Sequence, residues 1–293
     1  MHEYPHQEIS VPKNDEDFSI LQEITPTLAS NTDIHCAHQL RVWLDLPTAR
    51  EQRRYLEVHC DLLSEHSEII LHSLFPQELE GPTQVQQRCE ARLLLQDARR
   101  RGGTTEAVRE AYVNLHGGFV LDSPPWLEAV ELRLTELLNQ NRLEETAETR
   151  VTLLQEALAR IQEDSPNALE FLATLHRELA DAWLRHPLTN HAQALEVAIH
   201  FYEGVLQIFT VARYPHQYAK AQKGLGVAYW SRIVGQRDEN LERAIACYHE
   251  VLRIHTSDDF PFDYARVQTN LGITYWSRSA GERRENLEHA IAW

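Results

Sequence analysis

The sequence predicts an all-α protein, a helical N-terminal region followed by an array of paired helices. Three observations carry that prediction. Pro215–Cys247 (PHQYAKAQKGLGVAYWSRIVGQRDENLERAIAC) and Pro261–Trp293 (PFDYARVQTNLGITYWSRSAGERRENLEHAIAW) form a tandem repeat. They are offset by about 46 residues and identical at roughly 19 of 33 positions, far above chance for unrelated helices. Elsewhere the apolar residues recur at helical spacing, and no stretch reads as a strand. Finally, a hydrophobic content of 43% with only 11 glycines in 293 residues suits an ordered, helix-rich chain.

In chain order, residues 1–14 read as a loose arm with Pro5 and Pro12, and residues 15–120 as a helical N-terminal region. Asp33 to Leu46 is amphipathic, and Pro47-Thr48 interrupts it. A helix is expected over Thr48 to Leu63, placing Tyr55, Leu56, His59, Leu62 and Leu63 together, with Ser64 capping the next one. Thr83 to Arg101 forms a helix stopped by Gly102-Gly103; its terminal Arg99-Arg100-Arg101 faces the negative pole of the dipole and reads as solvated. Thr104 or Thr105 starts a helix that ends at Gly117-Gly118, and Pro124-Pro125-Trp126 starts the next.

From 124 to 293 the array begins. Val151 to Leu158 reads as the second helix of a worn unit. Leu172-Ala173, Leu179-Ala180, Trp183, Ala198-Ile199 and Tyr202 mark a degenerate copy of the repeat, in which Thr189 and His191 replace the glycine-arginine loop. In each clear copy, Pro215 or Pro261 precedes a first helix, where a missing N–H costs little. Gly226 and Gly272 lie within that helix at a cost of about 1 kcal/mol against alanine, which predicts close helix approach. Gly235 and Gly281 turn the chain into a second helix carrying Leu241, Ala244, Ile245, Tyr248 and Val251.

Leu225-Gly226, Tyr229, Ala244 and Tyr248 resemble the small/large signature of the tetratricopeptide repeat, drawn out by a longer loop and linker. NLGITYWSRSAGERRENLEHAIA is similar to the long repeats of large bacterial tetratricopeptide proteins, many of which end in a caspase-like CHAT peptidase domain. The similarity covers Leu172 to Trp293, with a looser one over Leu40 to Glu68. It implies a right-handed α-solenoid that binds a peptide or partner protein on its concave face. It also implies the alternative of a sensor arm for a CHAT peptidase lying beyond Trp293. The last copy stops at the position of Cys247, leaving Leu287, Ile291 and Trp293 without a covering helix. The expectation is a fragment whose last helix frays or self-associates.

The resemblance places the groove on the first helices. There Lys220, Lys223, Val227 and Trp230 recur at i, i+3, i+7, i+10, and the next copy offers Arg266, Asn270, Ile273 and Trp276. Cations beside tryptophans fit an acidic peptide, because tryptophan contributes contact area at low entropic cost. Lys220 and Lys223 are two of only three lysines in the chain; Lys13 is the third.

Other classes are disfavoured. The net charge of −16 repels phosphate backbones, so no nucleic-acid partner is expected. No apolar run approaches the roughly 20 residues of a membrane span, and the N-terminus lacks a signal pattern, so the expected location is cytoplasmic. His35-Cys36-x-His38 with His59-Cys60 lacks the regular ligand pairs of a zinc site, and no metal or cofactor is expected. The four cysteines read as buried thiols. His116-Gly117-Gly118-Phe119 lacks the nucleophile turn an esterase loop requires and reads as a helix end; no catalytic residue is assigned. Arg232, Arg237 and Glu239 recur as Arg278, Arg283 and Glu285, predicting ion pairs between repeats.

Overall fold

The computed structural model describes residues 30–75, 81–139, 143–161, 167–185 and 191–278, with 286, 288 and 291. Among these are twelve α-helices and no strand. The loose arm at 1–14, the expected helical start at Asp15, and Thr189, Gly281, Arg283, Glu285, Leu287 and Trp293 lie outside the described residues.

The N-terminal region holds α1 (Asn31–Asp45), α2 (Ala49–Val58), α3 (Glu65–Ser73), α4 (Pro82–Arg100) and α5 (Thr105–His116). Their starts follow local chemistry. Ser30 and Asp33 exchange hydrogen bonds in a capping box, and Thr48, Ser64 and Thr104 each accept a backbone N–H of the first turn. The expected helix over Thr48 to Leu63 is shorter than predicted. It ends at Val58, His59 leaves the helical region, and Cys60–Leu62 forms a 3₁₀ turn. That break lets Leu62 and Leu63 join the core from a new direction. Gly102 and Gly103 take positive φ and end α4 as expected, as Gly117 ends α5.

The rest is a run of helices in which each packs on the next: α6 (Pro125–Asn139), α7 (Leu143–Arg160), α8 (Ala168–Leu184), α9 (His191–Ile208), α10 (Pro215–Ser231), α11 (Arg237–Leu252) and α12 (Pro261–Ser277). The first helices α8, α10 and α12 also touch in succession. Leu225, Tyr229, Ala244 and Tyr248, the residues of the repeat signature, are all buried. A Cβ on Gly226 would fall 2.6 Å from the Tyr248 ring, so the close approach expected there is real. Gly224, not singled out by pattern, is tighter still, at 2.3 Å from the Tyr202 ring. The linkers repeat as well. Tyr214 packs edge-on to Phe209, and one repeat later Phe260 stacks on His255 at 4.0 Å between centroids.

The inter-repeat ion pairs recur at the repeat offset, but with other partners than expected. Arg232 pairs with Glu196 and donates to Asn240; Arg278 pairs with Glu242 and donates to Asn286. Arg237 lies over the Trp230 ring and donates to the Trp230 carbonyl. Ile291 is 85% exposed.

The N-terminal region packs across the array: α5 lies on α10, and the 3₁₀ turn Gly118–Val120 lies on α8. Arg53, wholly buried, anchors this arrangement from α2 by donating to Glu57, Asp122 and the Val120 carbonyl. Arg50 donates to the Phe119 carbonyl and to Glu128 and Glu131 of α6. One continuous apolar core joins both parts.

Candidate functional site

The repeat offset aligns one stripe on three first helices. On α8 it begins with Glu170 and Thr174, on α10 with His216 and Lys220, and on α12 with Phe262 and Arg266. The N-terminal region covers the first two starts. The Gly118 N–H donates to the Thr174 hydroxyl at 2.7 Å. A Cβ on Gly118 would fall 2.4 Å from the Glu170 carbonyl oxygen, so only glycine fits there. On α10, the His216 N–H donates to the Asn114 side chain, Gln217 donates to the Asn114 carbonyl, and Lys220 donates to the Leu115 carbonyl at 2.5 Å. The last carbonyls of α5, which have no intrahelical partner, are thus taken up by the repeats.

Further contacts close the seam. Arg101, expected to be solvated, pairs instead with Asp97 and Glu110 and donates to the Arg213 carbonyl. Arg92 on α4 pairs with Asp259 at 2.6 Å in the linker before α12. Within the N-terminal region, Arg99 of α4 pairs with Glu68 of α3.

Among the described residues, no direct bond of this kind closes the third stripe start, on α12. A cavity of about 410 Å³ lies there, lined by residues of α4, α5, α10, α12 and the linker before α12 that include Glu90, His116, Lys220, Phe260, Phe262 and Arg266. A neighbouring cavity of about 260 Å³ lies beyond Cys89 and Pro261 and is lined by Leu71, His72 and Arg88 among others. Beyond these cavities the stripe continues. Lys223 pairs with Asp263 at 2.9 Å, and Arg266 pairs with the same carboxylate at 2.8 Å. Val227 and Trp230 are half-buried, Asn270 is half-buried, Ile273 is 44% exposed and Trp276 is 60% exposed.

The electrostatics follow from burial. Burial pulls the Lys220 ammonium down to about 8, helped by Arg177 and Lys223, while Glu90 and Asp263 act against the shift. Burial likewise lowers Lys223. For Asp263, burial raises the carboxyl, but Lys223, Arg266 and His255 outweigh it and hold it low. Burial lowers His116 and His216 to about 4 and His255 to about 3.

The eight residues expected to bind a peptide therefore divide. Lys220 faces the seam cavity and is bonded to the N-terminal region, Arg266 lines the same cavity, and Lys223, Val227, Trp230, Asn270, Ile273 and Trp276 lie on or beside the stripe beyond it. The cavity's other walls were missed. Glu90, Leu115 and His116 come from a part of the chain that repeat alignment does not reach, although Phe262, one turn before Arg266, was legible as the same stripe. Cys36 bonds Ser67, Cys36, Cys89 and Cys247 are buried, and no group of three metal-ligating side chains gathers among the described residues. No protein-family model matches the chain, and no curated protein or solved structure is significantly similar to it.

Proposed function

We propose that this chain is a protein-interaction scaffold whose helix pairs are tetratricopeptide-like units in a right-handed solenoid. It receives a peptide or a partner protein along the row formed by Lys223, Val227 and Trp230 of α10 and Arg266, Asn270, Ile273 and Trp276 of α12. One observation carries the reading: Ile273 and Trp276 stand exposed one turn apart, alongside the matching Val227 and Trp230. Contiguous apolar side chains rimmed by cations have the make-up of an interaction surface. Lys223 and Arg266 share the single carboxylate of Asp263, which leaves an excess of positive charge for an acidic ligand.

The test is selection of random peptides on the immobilised chain, followed by titration of the selected peptides. Ile273→Ala with Trp276→Ala should weaken them by about tenfold or more. Equal affinity for the double variant would remove the row as the site.

A further inference from the structure

The seam cavity holds two opposite charges that do not meet. Lys220 has a neutral acceptor, the Leu115 carbonyl, and no carboxylate lies within 4 Å of it among the described residues. Glu90, on the α4 wall, accepts a hydrogen bond from Gln86, and it too has no ion pair among the described residues. The other two lining carboxylates are committed, Asp259 to Arg92 and Asp263 to Lys223 and Arg266. Phe260, Pro261 and Phe262 supply an apolar part of the same lining. Burying the Lys220 ammonium against only a neutral acceptor is costly, so a carboxylate beside it and an ammonium beside the half-buried Glu90 would complement the two charges across the open volume. The volume, about 410 Å³, is in the range of small-molecule sites, and it lies where two parts of a fold meet.

We propose that this cavity binds a small zwitterion bearing an apolar side chain, a free amino acid or a short peptide. Its carboxylate is held by Lys220, its ammonium by Glu90, and its side chain lies against Phe260 and Phe262. Because Glu90 belongs to α4 and Lys220 to α10, the bound ligand bridges the N-terminal region and the repeats. Arg266 belongs both to the cavity and to the exposed row, so the two sites share a wall. The inference stands without the peptide-row reading, since it uses neither Ile273 nor Trp276.

Calorimetric titration of the whole chain tests it, with L-leucine, L-phenylalanine and leucyl-phenylalanine, each also as the N-acetyl and the C-terminal amide form. Free zwitterions should bind saturably, and each blocked form about tenfold or more weaker, as expected for the loss of a charge-assisted hydrogen bond. Lys220→Met should abolish the discrimination against amides. Glu90→Gln, a change on a half-buried wall, should abolish the discrimination against N-acetyl forms. Stronger binding of the dipeptide assigns the site to short peptides, and stronger binding of the amino acids assigns it to these. The proposal is overturned when nothing binds at about 10 mM, when blocked forms bind equally, or when Glu90→Gln retains full discrimination.

Discussion

Gly226 shows how one atom sets a helix spacing. Gly226→Ala gains about 1 kcal/mol of helix propensity, but its methyl would stand 2.6 Å from the Tyr248 ring. The clash should outweigh the gain, with a net loss of about 1–2 kcal/mol in urea unfolding. Arg53 is a second such residue. Arg53→Met removes the donor to Glu57, Asp122 and the Val120 carbonyl; Arg54 and Arg109 still neutralise Asp122 and Glu57, but the Val120 carbonyl loses this donor. The expected loss is about 2–3 kcal/mol, and a neutral result would mean the surviving arginines take over. Lys220 runs the other way. Its lowered folded value means that the folded state disfavours the charged amine. The penalty is absent above the ordinary lysine value, grows as pH falls towards about 8, and persists below it. Lys220→Met should therefore raise stability at pH 7 by about 1 kcal/mol despite the lost Leu115 hydrogen bond, as measured by thermal melting.

At the scale of elements, α5 and its 3₁₀ extension meet α8 and α10 through hydrogen bonds to main-chain groups. On the N-terminal side these bonds are made by backbone atoms, so they depend on where that backbone lies. Gly118→Ala, which drives a methyl into the Glu170 carbonyl, should cost about 2–4 kcal/mol. Hydrogen exchange should locate the damage at Gly118 and the start of α8; protection unchanged there would show that the turn yields elsewhere. The repeated linkers carry their own contrast. Phe209 of one linker becomes His255 in the next, packed against Phe260 and His216 and facing Asp263, Lys220 and Lys223. The helix boundaries of the repeats were legible because proline starts and the glycine turn recur. The break at His59 was not, because its cause is the core position that Leu62 and Leu63 must reach.

Over the whole molecule, three histidines, the buried His255 and the half-buried His116 and His216, gather where the N-terminal region, α10 and the second linker meet. His216 also faces Asp97, Asp259, Arg100 and Lys220, and His116 faces Lys220. All three are held below the ordinary histidine value, so the unfolded chain binds more protons as pH falls. Their contribution to stability is complete above about pH 6.5 and is lost as pH drops towards 4. Denaturant midpoints should fall across that window, and His255→Phe should flatten the decline by roughly a third. A decline of equal steepness in His255→Phe would assign the acid response to carboxylates instead.

The sequence by itself determined the all-α class, the helix pairs, the close approach at Gly226 and the alignment of one stripe through successive first helices. These rest on short-range periodicity and on a repeat that two copies display side by side. Only the tertiary structure decided what covers that stripe. The Asn114 and Leu115 carbonyls and the Gly118 N–H reach it across more than fifty residues of sequence, through backbone groups whose identity no side-chain pattern records. The same packing sets Lys220 apart from Lys223: both occupy the same helix face and both are lowered by burial, but Lys220 donates to a carbonyl of the N-terminal region, whereas Lys223 pairs with Asp263.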